Sequence, residues 1–335
     1  MTPTSALPVA DPQLAERLTG RLAVVEQRLR DAVAHSDALA GATTRHLVDA
    51  GGKRIRPLLT LLCAELGDPG RAEVADAAVV VELTHLATLY HDDVMDVAPV
   101  RRGAPSAHEV WGNRVAVITG DLVFARASAI AAGLGPVAIR ILASTFERLC
   151  LGQLHETVGP PDGADPVAHY LQVLSDKTAS LLATSARFGA MFSGCSPGIE
   201  SALTEYGEAA GVAFQLADDV IDLAADPAVT GKTPGIDLRD KVPTMPALLL
   251  RQRVGDGTST DADRRLIALL DSDLSDEHSL TRAVAALGAH EVVAETRAQA
   301  VRWADRAVAA LDPLPDGPVR TALVDFTEAL VDRTA

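Results

Sequence analysis

The chain has 335 residues, 48% of them hydrophobic and 22% charged, which is ordinary for a water-soluble globular protein and leaves room for a large buried core. Aromatics are only 3%, so the core rests on Ala, Leu and Val; the first two are strong helix formers and tilt the reading toward an all-α fold. A net charge of −15 excludes a diffuse nucleic-acid-binding surface, while leaving open a local cationic site for a small anion.

In chain order, residues 1–10 carry Pro and Thr without a basic segment before an apolar block, and read as a frayed tail rather than a signal peptide. Pro and Gly then divide the chain into Ala/Leu/Val-rich segments with a spacing near 3.6, including Ala75 to Val97 and Ile199 to Leu223. Strand patterns are scarce, so the expectation is one large helical bundle of about ten or more helices. No run of about 18 uncharged apolar residues occurs, so no membrane-spanning helix is expected. Cys63, Cys150 and Cys195 have no metal-site spacing and suit a reducing cytoplasm.

The chain contains one internal echo. Asp92-Asp93-Val94-Met95-Asp96 and Asp218-Asp219-Val220-Ile221-Asp222 are both D-D-x-x-D groups ending long apolar runs. On a helix, the first and last Asp of each group lie about 40° apart, one turn from each other. Like charges at that spacing repel, and the C-terminal end of a helix is the wrong end for anions. One such group alone reads as a solvated helix end. Two of them point to bound cations, for which magnesium fits: it takes one or two carboxylates and completes its shell with water and phosphate oxygens.

The positive counterpart is Gly51-Gly52-Lys53-Arg54-Ile55-Arg56-Pro57, joined by Arg101-Arg102, Lys177-Thr178 and Lys232-Thr233. Arg forks match phosphate oxygens, and glycines let a backbone approach them. Any one basic pair reads as surface charge; together with two acidic clusters they imply a diphosphate. Gly231-Lys232-Thr233 lacks the earlier Gly and the preceding strand of a P-loop. His85, seven residues before Asp92, lies about 20° from it around the helix. Alone it reads as a core histidine; on that face it reads as a substrate contact.

These motifs resemble the trans-type (all-E) isoprenyl diphosphate synthases, or polyprenyl synthetases, of long-chain bacterial type. The resemblance runs from Gly51 to about Pro246 and includes Gly120-Asp121, Gly152-Gln153 and the F-Q-x-x-D-D-x-x-D at Phe214 to Asp222. It implies a single all-α domain over 1–335, folded around a central cavity and forming a homodimer. It also implies a cytoplasmic enzyme whose apolar product can partition into a membrane.

By resemblance, Asp92 and Asp96 hold magnesium with Asp93 beside them, and Asp218, Asp219 and Asp222 hold a further ion, about three in all. Lys53, Arg56, His85 and Arg102 take isopentenyl diphosphate. Arg101, Lys177, Thr178, Gln215 and Lys232 take the allylic diphosphate. The catalytic set is Asp92, Asp93, Asp96, Lys177, Asp218, Asp219 and Asp222. Lys241 sits one place earlier than the family's usual lysine and receives no role.

The implied reaction is ionisation, condensation and elimination, with farnesyl or geranylgeranyl diphosphate as primer. In this family a bulky aromatic just before the first Asp cluster stops the product short. Here those positions are Ala87 and Thr88, with Thr84 a turn farther along. The expected product is therefore long, about C30–C50, with geranylgeranyl diphosphate as the alternative. A helical metal phosphohydrolase built on His85, His91 and Asp92 would leave the second cluster unexplained. A terpene cyclase usually lacks the glycine–arginine motif, and a non-catalytic subunit tends to lose Asp residues that this chain keeps.

Overall fold

Ala- and Leu-rich segments form the helices, and short polar residues set where they begin. The computed structural model describes residues 9–224 and 234–331. Among the described residues there are sixteen α-helices, one π-helical turn and a single pair of two-residue strands. The all-α expectation holds. Most of the N-terminal tail, together with Gly231, Lys232 and Thr233, lies outside the described residues.

The described residues divide into two compact units. The first takes the chain up to Cys150, then Ser180–Glu208 and Ala310–Phe326. It holds α1 (Pro12–Ala32), α2 (Ala38–Asp49), α3 (Ile55–Ala64), α4 (Ala72–Met95), α5 (Ala107–Trp111) and α6 (Asn113–Gly133). α7 (Pro136–Val158) begins in this unit, and α9 (Ser180–Ser193) lies within it. α1 starts on an Asp11 cap that accepts from Leu14 N–H, with Pro12 pre-set for the first turn. α4 is central, buried along Val79, Val80, Val81, Leu83, Leu86 and Ala87, and packs on α1, α3, α6 and α9. Tyr90 ties it to α2: its hydroxyl donates to Thr43 O at 2.6 Å and accepts from Leu47 N–H at 3.2 Å.

The second unit takes Leu151–Ala179, the described residues of Ala209–Ala309, and those from Thr327. It includes α8 (Pro166–Leu174), a π-helical turn at Ser175–Ala179 and the later part of α10 (Pro197–Ala224). Also within it are α11 (Ile236–Arg239), α12 (Met245–Gly255), α13 (Asp261–Leu270), α14 (Glu277–Gly288) and all but the last residue of α15 (Glu291–Ala310). Its core joins Leu174, Val212, Leu216, Met245, Leu250, Leu270 and Leu287. α16 (Pro318–Val331) spans the boundary in sequence. Within the first unit, Tyr206 of α10 donates to Leu323 O of α16 at 2.8 Å.

α6 is long and apolar enough, by length and composition, to cross a membrane, because Asp121 and Arg126 dilute its Val, Ile and Ala only slightly. About a third of its most apolar stretch is buried (33%), and Val117, Ile118 and Leu122 are exposed.

Candidate active site

The first Asp cluster closes α4. Met95 is the last helical residue and Asp96 the cap, whose N–H returns to Asp92 O at 2.8 Å. Val97 follows with φ +50°, a left-handed conformation rare for a β-branched residue, and turns the chain out of the helix. Asp92 is half-buried and Asp96 exposed, whereas Asp93 is fully buried. The helical period thus places the outer two carboxylates at the surface and turns the middle one inward.

Asp93 is held by Arg101, whose Nε donates to Oδ1 at 2.5 Å. Burial pushes the Asp93 carboxyl up against the pull of that guanidinium. The R-R-G sequence is a tight hairpin, with Val100–Arg101 paired to Ala104–Pro105. Arg102 and Gly103 have φ +54° and +78°, so both central residues of the turn are left-handed. The turn sends its arginines to different partners. Arg102 Nη1 donates to Leu47 O at 3.1 Å and to Gly51 O.

Arg102 therefore lies against the glycine-rich segment. Gly52 has φ +140°, and a Cβ there would sit 2.7 Å from Arg102 Cζ, so no other residue fits without moving the guanidinium. Arg54, left-handed at φ +51°, is 2% exposed and turns inward. Arg56 is more accessible, yet its Nε is buried and has no hydrogen-bond partner among the described residues. Burial pulls the Arg56 guanidinium down to about 10; Glu82 raises it and Arg102 lowers it further. His85 is held well below its ordinary value, first by burial and then by Arg56, Arg102, Arg54 and Arg101. Its ring therefore lies among cations that disfavour its charged form. Lys53 is exposed.

Beneath Asp92 on α4, Ala87 and Thr84 are fully buried and Thr88 is half-buried. Thr84 donates to Val80 O and Thr88 to His85 O, each at 2.8 Å. Both hydroxyls are satisfied within the helix, so these positions act as small apolar groups.

The second cluster, in α10, repeats the pattern. Asp218 and Asp222 are half-buried and Asp219 is buried. Tyr170 Oη lies 3.0 Å from both Asp219 oxygens, and Met245 N–H donates to Oδ2 at 2.9 Å. Burial raises the Asp219 carboxyl to about 8, against those two donors. Both Asp219 oxygens are thus engaged inside the core. Tyr170→Phe is expected to cost about 1–3 kcal/mol of stability and to weaken magnesium binding, because a buried acceptor loses its donor. Chemical denaturation and a magnesium titration check this; an unchanged midpoint would remove Tyr170 as the anchor.

Lys177 and Thr178 sit in the π-helical turn of the same unit, and Lys177 Nζ is paired with Glu156. Gly152 packs against that turn: a Cβ there would lie 2.6 Å from Lys177 N. Gln215 is half-buried, one turn before Asp218. Lys241 is exposed, with φ +57°.

The outer carboxylates suit magnesium by donor chemistry, being hard oxygens at i and i+4. The nearby Cys150 thiol is pushed up by burial and by Asp92, so it stays protonated and is no competing thiolate. Among the described residues no group of three or more His, Cys, Asp or Glu could hold a metal ion alone. Two carboxylates leave most of a six-fold shell open for water and phosphate oxygens. Reasoning from sequence missed Glu82 and Tyr170. Glu82 was detectable as a lone charge within Val79-Val80-Val81-Glu82-Leu83.

An all-helical fold with paired carboxylates ending α4 and recurring in α10 defines the isoprenoid synthase class. A family model for polyprenyl synthetases matches residues 37–287, extending the resemblance at both ends. The chain is 41% identical to nonaprenyl diphosphate synthase of Mycobacterium tuberculosis over 333 residues, covering 99% of this chain and 98% of that one. Among solved structures it matches geranylgeranyl pyrophosphate synthase of Corynebacterium glutamicum, complexed with calcium and isoprenyl diphosphate. That match has a TM-score of 0.87 and 37% identity, over 98% of this chain and 99% of that one. Decaprenyl diphosphate synthase of Rhodobacter capsulatus follows with a TM-score of 0.85 and 33% identity, covering 96% and 99%. The chain belongs to the polyprenyl synthetase family, and it is a prenyltransferase.

Proposed function

We propose that residues 1–335 form one trans-polyprenyl diphosphate synthase domain. It condenses isopentenyl diphosphate with farnesyl or geranylgeranyl diphosphate to give an all-trans product of about C30–C50. The observation that carries the long product is the column of small residues beneath Asp92: Ala87, Thr84 and Thr88, the threonines with their hydroxyls turned into the helix. The similarity to a nonaprenyl diphosphate synthase supports the same reading.

In this reading Asp92, Asp96, Asp218 and Asp222 hold about three magnesium ions. The calcium named with the Corynebacterium glutamicum relative supports a divalent cation. Magnesium, when bound, neutralises charge developing on the departing diphosphate. Arg101, Lys177, Thr178, Gln215 and Lys232 hold the allylic diphosphate, and Asp93 fixes Arg101. Lys53, Arg56, His85 and Arg102 orient isopentenyl diphosphate; the buried Arg56 Nε is a donor with no partner among the described residues. The bond from allylic C1 to oxygen breaks, the double bond of isopentenyl diphosphate attacks C1, and the departing diphosphate takes the proton released.

Incubation of the protein with isopentenyl diphosphate, each allylic primer and magnesium, followed by product-length analysis, tests this. Products ending at C20 would instead favour the geranylgeranyl alternative, which the likeness to the Corynebacterium glutamicum enzyme supports. The exposed Val117, Ile118 and Leu122 on α6 support a homodimer. Sedimentation at twice the 35.0 kDa chain mass checks it. Three free cysteines support a cytoplasmic setting.

A further inference from the structure

We propose that Glu82 is a positioning residue for the isopentenyl diphosphate site: its carboxylate, buried in α4, joins the glycine-rich segment to the Arg101–Arg102 hairpin. The inference rests on the reading that Arg56 and Arg102 contact that substrate.

Glu82 is 1% exposed, in a stretch of α4 otherwise lined by Val, Leu and Ala. Such a carboxylate is retained only with close partners. Its Oε1 accepts from Arg54 Nη1 at 2.8 Å and lies 3.7 Å from Arg102 Nη2. It also acts electrostatically on Arg56. One oxygen thus faces arginines from both basic motifs.

Arg54 carries the connection into the loop. Its Nε donates to Glu26 Oε1 at 2.5 Å, and its Nη groups donate to Gly51 O at 3.2 Å and Val48 O at 3.1 Å. Arg102 reaches Gly51 O from the other side. The second basic residue of the glycine–arginine motif is therefore committed to protein contacts. Glu82 thus faces Arg54 and Arg102 and acts on Arg56, while Glu26 takes Arg54 from the other end. The buried Nε without a hydrogen-bond partner among the described residues belongs to Arg56. Without Glu82, Arg54 and Arg102 would repel each other and the loop would lose its register against the hairpin. Lys53 and Arg56 sit on that loop.

The experiment is steady-state kinetics with each substrate varied, on Glu82→Gln, Arg54→Lys and, as reference, Arg56→Ala. Glu82→Gln keeps an acceptor for Arg54 but removes the charge. We expect KM for isopentenyl diphosphate to rise about tenfold or more, as loss of a charged hydrogen-bond contact implies. KM for the allylic substrate should stay within about twofold of the native value. Arg54→Lys, which keeps the charge and loses the fork, should give the same split. The inference is overturned if both KM values move together, or if only the denaturation midpoint changes. Arg56→Ala separates the two levels. A raised KM there beside a silent Glu82→Gln overturns the positioning role alone. An unchanged KM in Arg56→Ala overturns the substrate assignment, and this inference with it. Should Glu82→Gln fail to fold, Arg54→Lys decides.

Discussion

Asp92→Ala is expected to lower turnover by roughly 100- to 1,000-fold while leaving the fold intact, the size seen when one preorganised electrostatic group is removed. Asp92 is half-buried at the end of α4, four residues from Asp96 and with no basic residue in that last turn. Its charge repels Asp96 and opposes the helix dipole, effects of about a few tenths of a kcal/mol each. Activity and stability should therefore separate: turnover collapses while the thermal midpoint changes little. Asp93→Ala is the contrast. It leaves Arg101 without its buried partner, so the midpoint should fall as well. Near-normal turnover in Asp92→Ala would defeat the metal assignment of the first cluster.

Ala87→Phe is expected to shorten the product to C20 or below. Ala87 is fully buried on α4, five residues before Asp92, and in the proposed reading an aromatic ring there would block the path of the growing chain. Overpacking a filled site costs about 1–3 kcal/mol, so some loss of stability should accompany the change. Thr88→Phe separates the two effects. Thr88 is only half-buried and its hydroxyl is already satisfied by His85 O, so a ring there disturbs the core less. Product chain length resolved by chromatography is the measurement. If both variants make the native product distribution, the floor lies elsewhere and the small residues on α4 do not set the length.

Much of this was legible before any coordinates. The α4 and α10 helices follow from apolar periodicity, and their observed bounds lie within three residues of those read from the pattern. The alternation within each D-D-x-x-D also follows: positions one turn apart share a face, and the residue between them does not. What periodicity cannot say is what that middle residue meets. Asp93 meets Arg101, eight residues on, whereas Asp219 meets Tyr170 and Met245, 49 and 26 residues away. The first partner is within reach of local reasoning; the others are not.

The same division holds for the basic motifs. From sequence, Lys53, Arg54 and Arg56 are three similar cations beside two glycines. Folding assigns them different work. Left-handed backbone at Arg54 turns its guanidinium inward onto Glu26 and Glu82, 28 residues away on either side, while Arg56 Nε has no such partner among the described residues.

By itself the sequence determined the all-α class, the family and the positions of the carboxylate pairs, because helical period and motif spacing are properties of neighbours along the chain. Only the tertiary structure decided which charges are anchors. That depends on whether a carboxylate removed from water meets a donor from a distant segment, and local spacing carries no record of it.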